Sequence, residues 1–113
     1  MRAVTKITLL DDGGEKFFGE GPARLLHGIE AHGSLRAASA SMHMAYTKAL
    51  KIMRKAEETL GYALITRTVG GKDGGGSVLT AEGKEWLTRY EAYRDACIQA
   101  NRRLYLEFFP EQR

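Results

Sequence analysis

The sequence predicts a mainly helical α+β fold: a short N-terminal β-hairpin, three helices, a glycine-rich β-hairpin and a long closing helix. Three observations predict it. Apolar residues recur at three- and four-residue spacings from Leu25 to Leu60 and again from Trp86 to Phe108. Ser34 and Thr80 stand where helices begin, and Gly33 and Gly61 where they end. Five of the eight residues from Gly70 to Ser77 are glycine, and short apolar stretches, "YALI" (62–65) and "VL" (78–79), lie on either side.

"AVTKITLL" (3–10) alternates well enough for a strand, and "DDGGEK" (11–16) is a turn signal leading to "FFG" (17–19), which together make a hairpin. Pro22 sits where a helix can start, with Leu25, Leu26 and Ile29 at helical spacing and Gly33 as its stop. Gly28 inside that helix costs about 1 kcal/mol relative to alanine. Ser34 caps a short alanine-rich helix, "LRAASASM" (35–42), and a turn at "HMA" (43–45) leads into a longer one ending at Gly61. Ala49, Ile52, Met53, Ala56 and Leu60 line one side of it, while Tyr46, Thr47, Lys48, Lys51, Arg54 and Lys55 spread over the rest. Two helices joined by a tight turn, the second amphipathic and basic, form a helix-turn-helix. "ALITRT" (63–68) and "SVLT" (77–80) then read as a hairpin directly after the recognition helix, which makes it a wing. Thr80 caps the last helix, along which Trp86, Tyr90, Tyr93, Cys97, Ala100, Leu104 and Phe108 recur as a coiled-coil-like stripe until Pro110.

At 113 residues the chain is read as one domain, 1–113, with helix-turn-helix and wing in 20–80 and a dimerisation helix in 81–109. Hydrophobic residues make up 43% and charged residues 27%, which excludes wholesale disorder. The single cysteine, Cys97, suits a reducing compartment, and no apolar run approaches the ~20 residues of a membrane span. A cytoplasmic protein is expected. Its net charge of +3 is unevenly placed: residues 34–72 carry +5, and the flanks 1–33 and 73–113 each carry −1. A localised basic region is the footprint of a polyanion binder.

Residues at the N-terminus of the recognition helix are the natural base readers, because that end enters the major groove. Tyr46, Thr47, Lys48, Lys51 and Arg54 are therefore the expected base-edge and phosphate contacts. Ser34 and Arg36 are placed to meet a phosphate beside a helix start, and Arg67 and Lys72 to approach the sugar-phosphate backbone from the wing. "GGKDGGGS" (70–77) lacks the spacing of a phosphate-binding P-loop and lies between two strands rather than a strand and a helix. No nucleophile–base constellation stands out, and "MHM" (42–44) lacks a convergent further ligand, so neither enzyme activity, a metal nor a cofactor is expected. His27 and His32, five apart, read as structural. The alternatives are an interaction module that keeps the fold without specific DNA binding and, less favoured, an enzyme acting on phosphate-containing substrates.

"GSLRAASASMHMAYTKALKIMRKAEETLGYALITRT", followed by "VLTAEG", resembles the winged helix-turn-helix of LysR-type regulators. "AYTKAL", "GGKDGGGSVLT" and the closing helix make it similar, more narrowly, to the N-terminal domain of ModE-type molybdate-responsive regulators over residues 20–105. The resemblance implies a homodimeric unit that binds double-stranded DNA. That family's molybdate sites lie in C-terminal oxyanion-binding domains, so molybdate binding is not expected from this chain alone. The stripe on the last helix is the expected dimer interface.

Overall fold

The structure, a computed structural model, describes residues 1–68 and 75–113. It is a mainly helical α+β fold with two antiparallel hairpins. The first joins β1 (Leu9–Leu10) to β2 (Lys16–Phe18), pairing Leu9 with Phe18 across a bulge. Its turn is closed by the Asp11 carboxylate, which accepts from the Glu15 N–H at 2.9 Å, and by Gly14 at φ +86°.

The strand expected over residues 3–10 shrinks to Leu9–Leu10. Residues before it run along the last helix instead, because that is where their polar groups find partners. The Tyr90 hydroxyl donates to the Ile7 carbonyl at 2.7 Å, Asn101 donates to the Thr5 hydroxyl, and the Tyr105 hydroxyl donates to the Met1 carbonyl at 2.8 Å. The N-terminus is thus a strap laid antiparallel to the helix.

Helix α1 (Glu20–His32) begins two residues before Pro22 and ends in a left-handed Gly33, at φ +83°, whose N–H reaches the Ile29 carbonyl. Helix α2 (Leu35–Ser41) starts at Ser34, whose hydroxyl accepts from the Ala37 N–H at 3.0 Å. Gly28 has a packing reason: a Cβ there would lie 2.8 Å from the Ala38 Cβ, so the absent side chain lets α1 and α2 cross closely. Helix α3 (Tyr46–Leu60) follows a turn in which His43 takes φ +53°, and it ends at a left-handed Gly61.

Strands β3 (Ile65–Thr68) and β4 (Gly76–Leu79) pair from Ile65–Leu79 to Thr68–Gly76 and form the wing. Its tip, with Lys72, lies outside the described residues. The wing is anchored at both ends. The Ser77 N–H donates to the Gly33 carbonyl at 2.8 Å, and the Glu57 carboxylate accepts from the Leu64 and Ile65 N–H groups.

Helix α4 (Ala81–Phe108) is capped by Thr80, whose hydroxyl accepts from the Gly83 N–H. A 3₁₀ turn (Pro110–Gln112) follows. A Cβ on Gly83 would collide with the Leu64 carbonyl, so glycine is required where α4 passes the base of the wing. Phe18, Leu25, Leu26, Ile29, Ala49, Met53, Leu64, Leu87 and Tyr90 are among the side chains of one core drawn from every helix and both hairpins. The 28 residues of α4 span about 42 Å, yet its buried residues, Gly83, Trp86, Leu87 and Tyr90, all lie within its first ten. The remainder extends past the core with the strap beside it.

Candidate nucleic-acid interface

Helix α3 divides cleanly. Ala49, Met53 and Ala56 are buried, and Thr47, Lys48, Lys51 and Arg54 are exposed on the other side. Tyr46, at its first turn, is half-buried beneath Arg36, whose guanidinium carbon lies 4.2 Å from the ring centroid. That stack sets the Arg36 charge beside the start of α3 while its N–H groups keep room for acceptors. Ser34 uses its oxygen as the α2 cap and keeps its hydroxyl hydrogen for a further acceptor.

Arg67 is exposed on β3, opposite Ser77 of β4. Ser34, Arg36, Tyr46, Arg67, Gly76 and Ser77 meet around a polar cleft of about 270 Å³ between the α2 start, the α3 start and the wing. Gly76 permits this approach: a Cβ there would stand 2.5 Å from the Gly33 carbonyl oxygen. The expected contact residues therefore form two neighbouring groups. Thr47, Lys48, Lys51 and Arg54 make a convex ridge, and Ser34, Arg36, Tyr46 and Arg67 make a notch beside it. Lys72 lies outside the described residues.

Among the described residues, the ion pairs of the basic region involve only Lys55, bound to Asp11 at 2.7 Å and Glu15 at 3.0 Å. The Asp11 hydrogen bond, then that of Glu15, holds the Lys55 ammonium above its ordinary range, and Lys55 in turn holds the Asp11 carboxyl below its own. The N-terminal hairpin thus takes Lys55 out of the basic face and fastens itself to α3. Glu57, an acid by count, is spent on the wing's backbone. Arg36, Lys48, Lys51, Arg54 and Arg67 have no carboxylate partner among the described residues, so their charge is available to an outside anion.

The stripe on α4 needs correcting. Trp86 and Tyr90, expected at a dimer interface, belong to the core: Phe18 meets both rings edge-on, at 5.4 Å and 4.9 Å. The same three- and four-residue spacing serves first the core and then the surface. Cys97 and Ala100 are half-buried, whereas Tyr93, Leu104 and Phe108 stand 54%, 48% and 75% exposed. Ile98, outside the stripe, is also exposed. His27 bonds both Glu91 oxygens at 2.9 Å, joining α1 to α4, which is a structural use.

Residues 23–84 match the model of the family described as bacterial regulatory helix-turn-helix protein, lysR family. The match runs from α1 through the first turn of α4, and so takes in both the ridge and the notch. The comparison with curated proteins gave no match.

Proposed function

The chain belongs to the LysR family of bacterial regulatory helix-turn-helix proteins, a family of DNA-binding transcription regulators, and we propose that it acts as a homodimer on specific duplex sequences. In this reading α3 lies in the major groove, with Tyr46, Thr47 and Lys48 at base edges and Lys51 and Arg54 nearer phosphates. The notch formed by Ser34, Arg36 and Arg67 takes the backbone beside the groove, and the wing with Lys72 follows it. The observation that carries the reading is the exposed ridge of α3, whose cations have no acid partner among the described residues while its opposite face is sealed in the core.

Two α4 helices pair through Tyr93, Leu104 and Phe108, with Cys97 and Ala100 beneath them, and set the two recognition helices about one DNA turn apart, ~34 Å. The protein works in the cytoplasm, where its DNA is. The ModE-type likeness of "GGKDGGGSVLT" supports a narrower placement within regulators of this build.

Selection from a random duplex library tests the placement of α3. The unmutated protein enriches one two-fold symmetric motif. Lys48→Ala relaxes the preference at one position of each half-site, at a cost of about 1–3 kcal/mol. An unchanged motif bound with unchanged affinity would remove Lys48 from the base-reading set.

A further inference from the structure

Beside the recognition helix, on the side away from the wing, lies a pocket of about 470 Å³ that DNA recognition does not explain. It sits between β2, the start of α1 and the middle of α3. Phe17, Phe18, Pro22 and Ile52 form apolar walls, and Lys16 and Lys51, both exposed, also line it. Its size falls in the range of small-molecule sites, about 300–1,000 Å³, and apolar walls with a few polar groups are their usual lining.

The charges around it are unequal. Lys55 lines the pocket but is held by Asp11 and Glu15, and Glu20, its one acidic lining residue, is held by Arg94 at 3.3 Å. Lys16 and Lys51 have no acidic partner among the described residues. An apolar cavity lined also by two exposed lysines, without a carboxylate partner among the described residues, complements an organic anion with an apolar body.

We propose that this pocket binds a small amphipathic carboxylate and that occupancy lowers DNA affinity through Lys51. Lys51 belongs both to the pocket lining and to the exposed ridge of α3, so an anion that holds it withdraws one cation from the DNA phosphates. The coupling rests on the DNA-binding reading above, whereas binding in the pocket does not.

The chain supplies its own reporter and its own plug. Trp86 is its only tryptophan, and its ring packs on Phe17 at 6.1 Å and Phe18 at 5.4 Å, both of them pocket walls. Gly21 forms part of the lining, and a Cβ there meets no atom within 4 Å, so a larger side chain such as that of Gly21→Phe can leave the backbone here without a collision at its Cβ.

Phenylbutyrate is titrated into the full chain without DNA, against phenylbutanol as its neutral counterpart, with amide NMR and Trp86 fluorescence as readouts. Saturable shifts at Gly19, Gly21 and Ile52 are expected, several-fold weaker for the alcohol. Lys16→Gln should weaken the acid about threefold, as befits an exposed charge, and Gly21→Phe should abolish the shifts while the spectrum stays that of a folded protein. Lys16→Gln alone carries the test should Gly21→Phe fail to fold. Equal response to acid and alcohol, shifts confined to Tyr93 and Leu104 on α4, or no saturation would overturn the site. With DNA present, phenylbutyrate should raise the Kd several-fold for the unmutated chain and leave Gly21→Phe unaffected. An unmoved Kd with the pocket occupied would overturn the coupling, and failure to bind DNA without phenylbutyrate would overturn the reading on which the coupling rests.

Discussion

Leu104→Glu tests dimerisation through α4 without disturbing the fold. Leu104 is 48% exposed, so the monomer accepts a carboxylate there at little cost, and glutamate is as good a helix former as leucine. Full burial of a leucine is worth about 1.5–3 kcal/mol. With roughly half of the side chain left to bury, pairing gains about 1 kcal/mol per protomer and about 2 kcal/mol per two-fold dimer. Loss of that gain alone weakens the dimer about thirtyfold, and two unpaired carboxylates facing Phe108 and Tyr93 weaken it further. Sedimentation or light scattering at micromolar concentration should show a dimer for the unmutated chain and a folded monomer for the variant, with thermal unfolding little changed. Operator binding should fall, because a monomer keeps half the contacts. A variant of unchanged mass would clear Leu104 of the interface, and an unmutated monomer would end the dimer reading. Unfolding of the variant would contradict the placement of Leu104 on the surface.

Gly28→Ala should destabilise the domain by up to about 2 kcal/mol in urea, since overpacking against Ala38 costs about 1–3 kcal/mol and outweighs the ~1 kcal/mol gain in helix propensity. Adding Ala38→Gly moves the methyl from one helix to the other and should recover most of the loss; strictly additive effects would refute the close crossing of α1 and α2. Tyr90→Phe should cost about 1–2 kcal/mol by leaving the Ile7 carbonyl without its donor. Burial first, then the nearby Glu20 charge, raises the Tyr90 hydroxyl above its ordinary value of 10.0. The unfolded chain therefore loses this proton before the folded one does, so stability is whole below about pH 10 and falls as pH rises beyond it. Tyr90→Phe should flatten that alkaline fall, which pH-dependent urea titrations would detect.

The helix boundaries were legible because their signals are local. Ser34 and Thr80 bond the N–H groups three residues on, and Gly33 and Gly61 take left-handed stops, each signal read from residues within a few positions of it. The ridge of α3 was legible for the same reason, since its period separates Ala49, Met53 and Ala56 from Thr47, Lys48 and Lys51. Long-range partners were not. Alternation in residues 3–8 cannot reveal that the hydrogen-bond partners of Ile7 and Thr5 sit on Tyr90 and Asn101 of a helix, nor can a count of lysines reveal that Lys55 is taken by Asp11. The α4 stripe misled at Trp86 and Tyr90 because core and interface impose the same helical period. Only the position of Phe18 in space divides them. Gly28 looked like a weakness in α1 because the Ala38 methyl that requires it belongs to another helix.

Contact of the basic ridge and notch with duplex DNA is read out by a salt titration. Fluorescence anisotropy of a labelled duplex should give a log–log plot of affinity against salt with a slope of several negative units. Each neutralised phosphate contributes about −0.9, and Arg36, Lys51, Arg54 and Arg67 from each protomer supply the cations. Lys51→Ala in both protomers should make the slope shallower by about two units. An affinity that stays flat from low to physiological salt would exclude that contact.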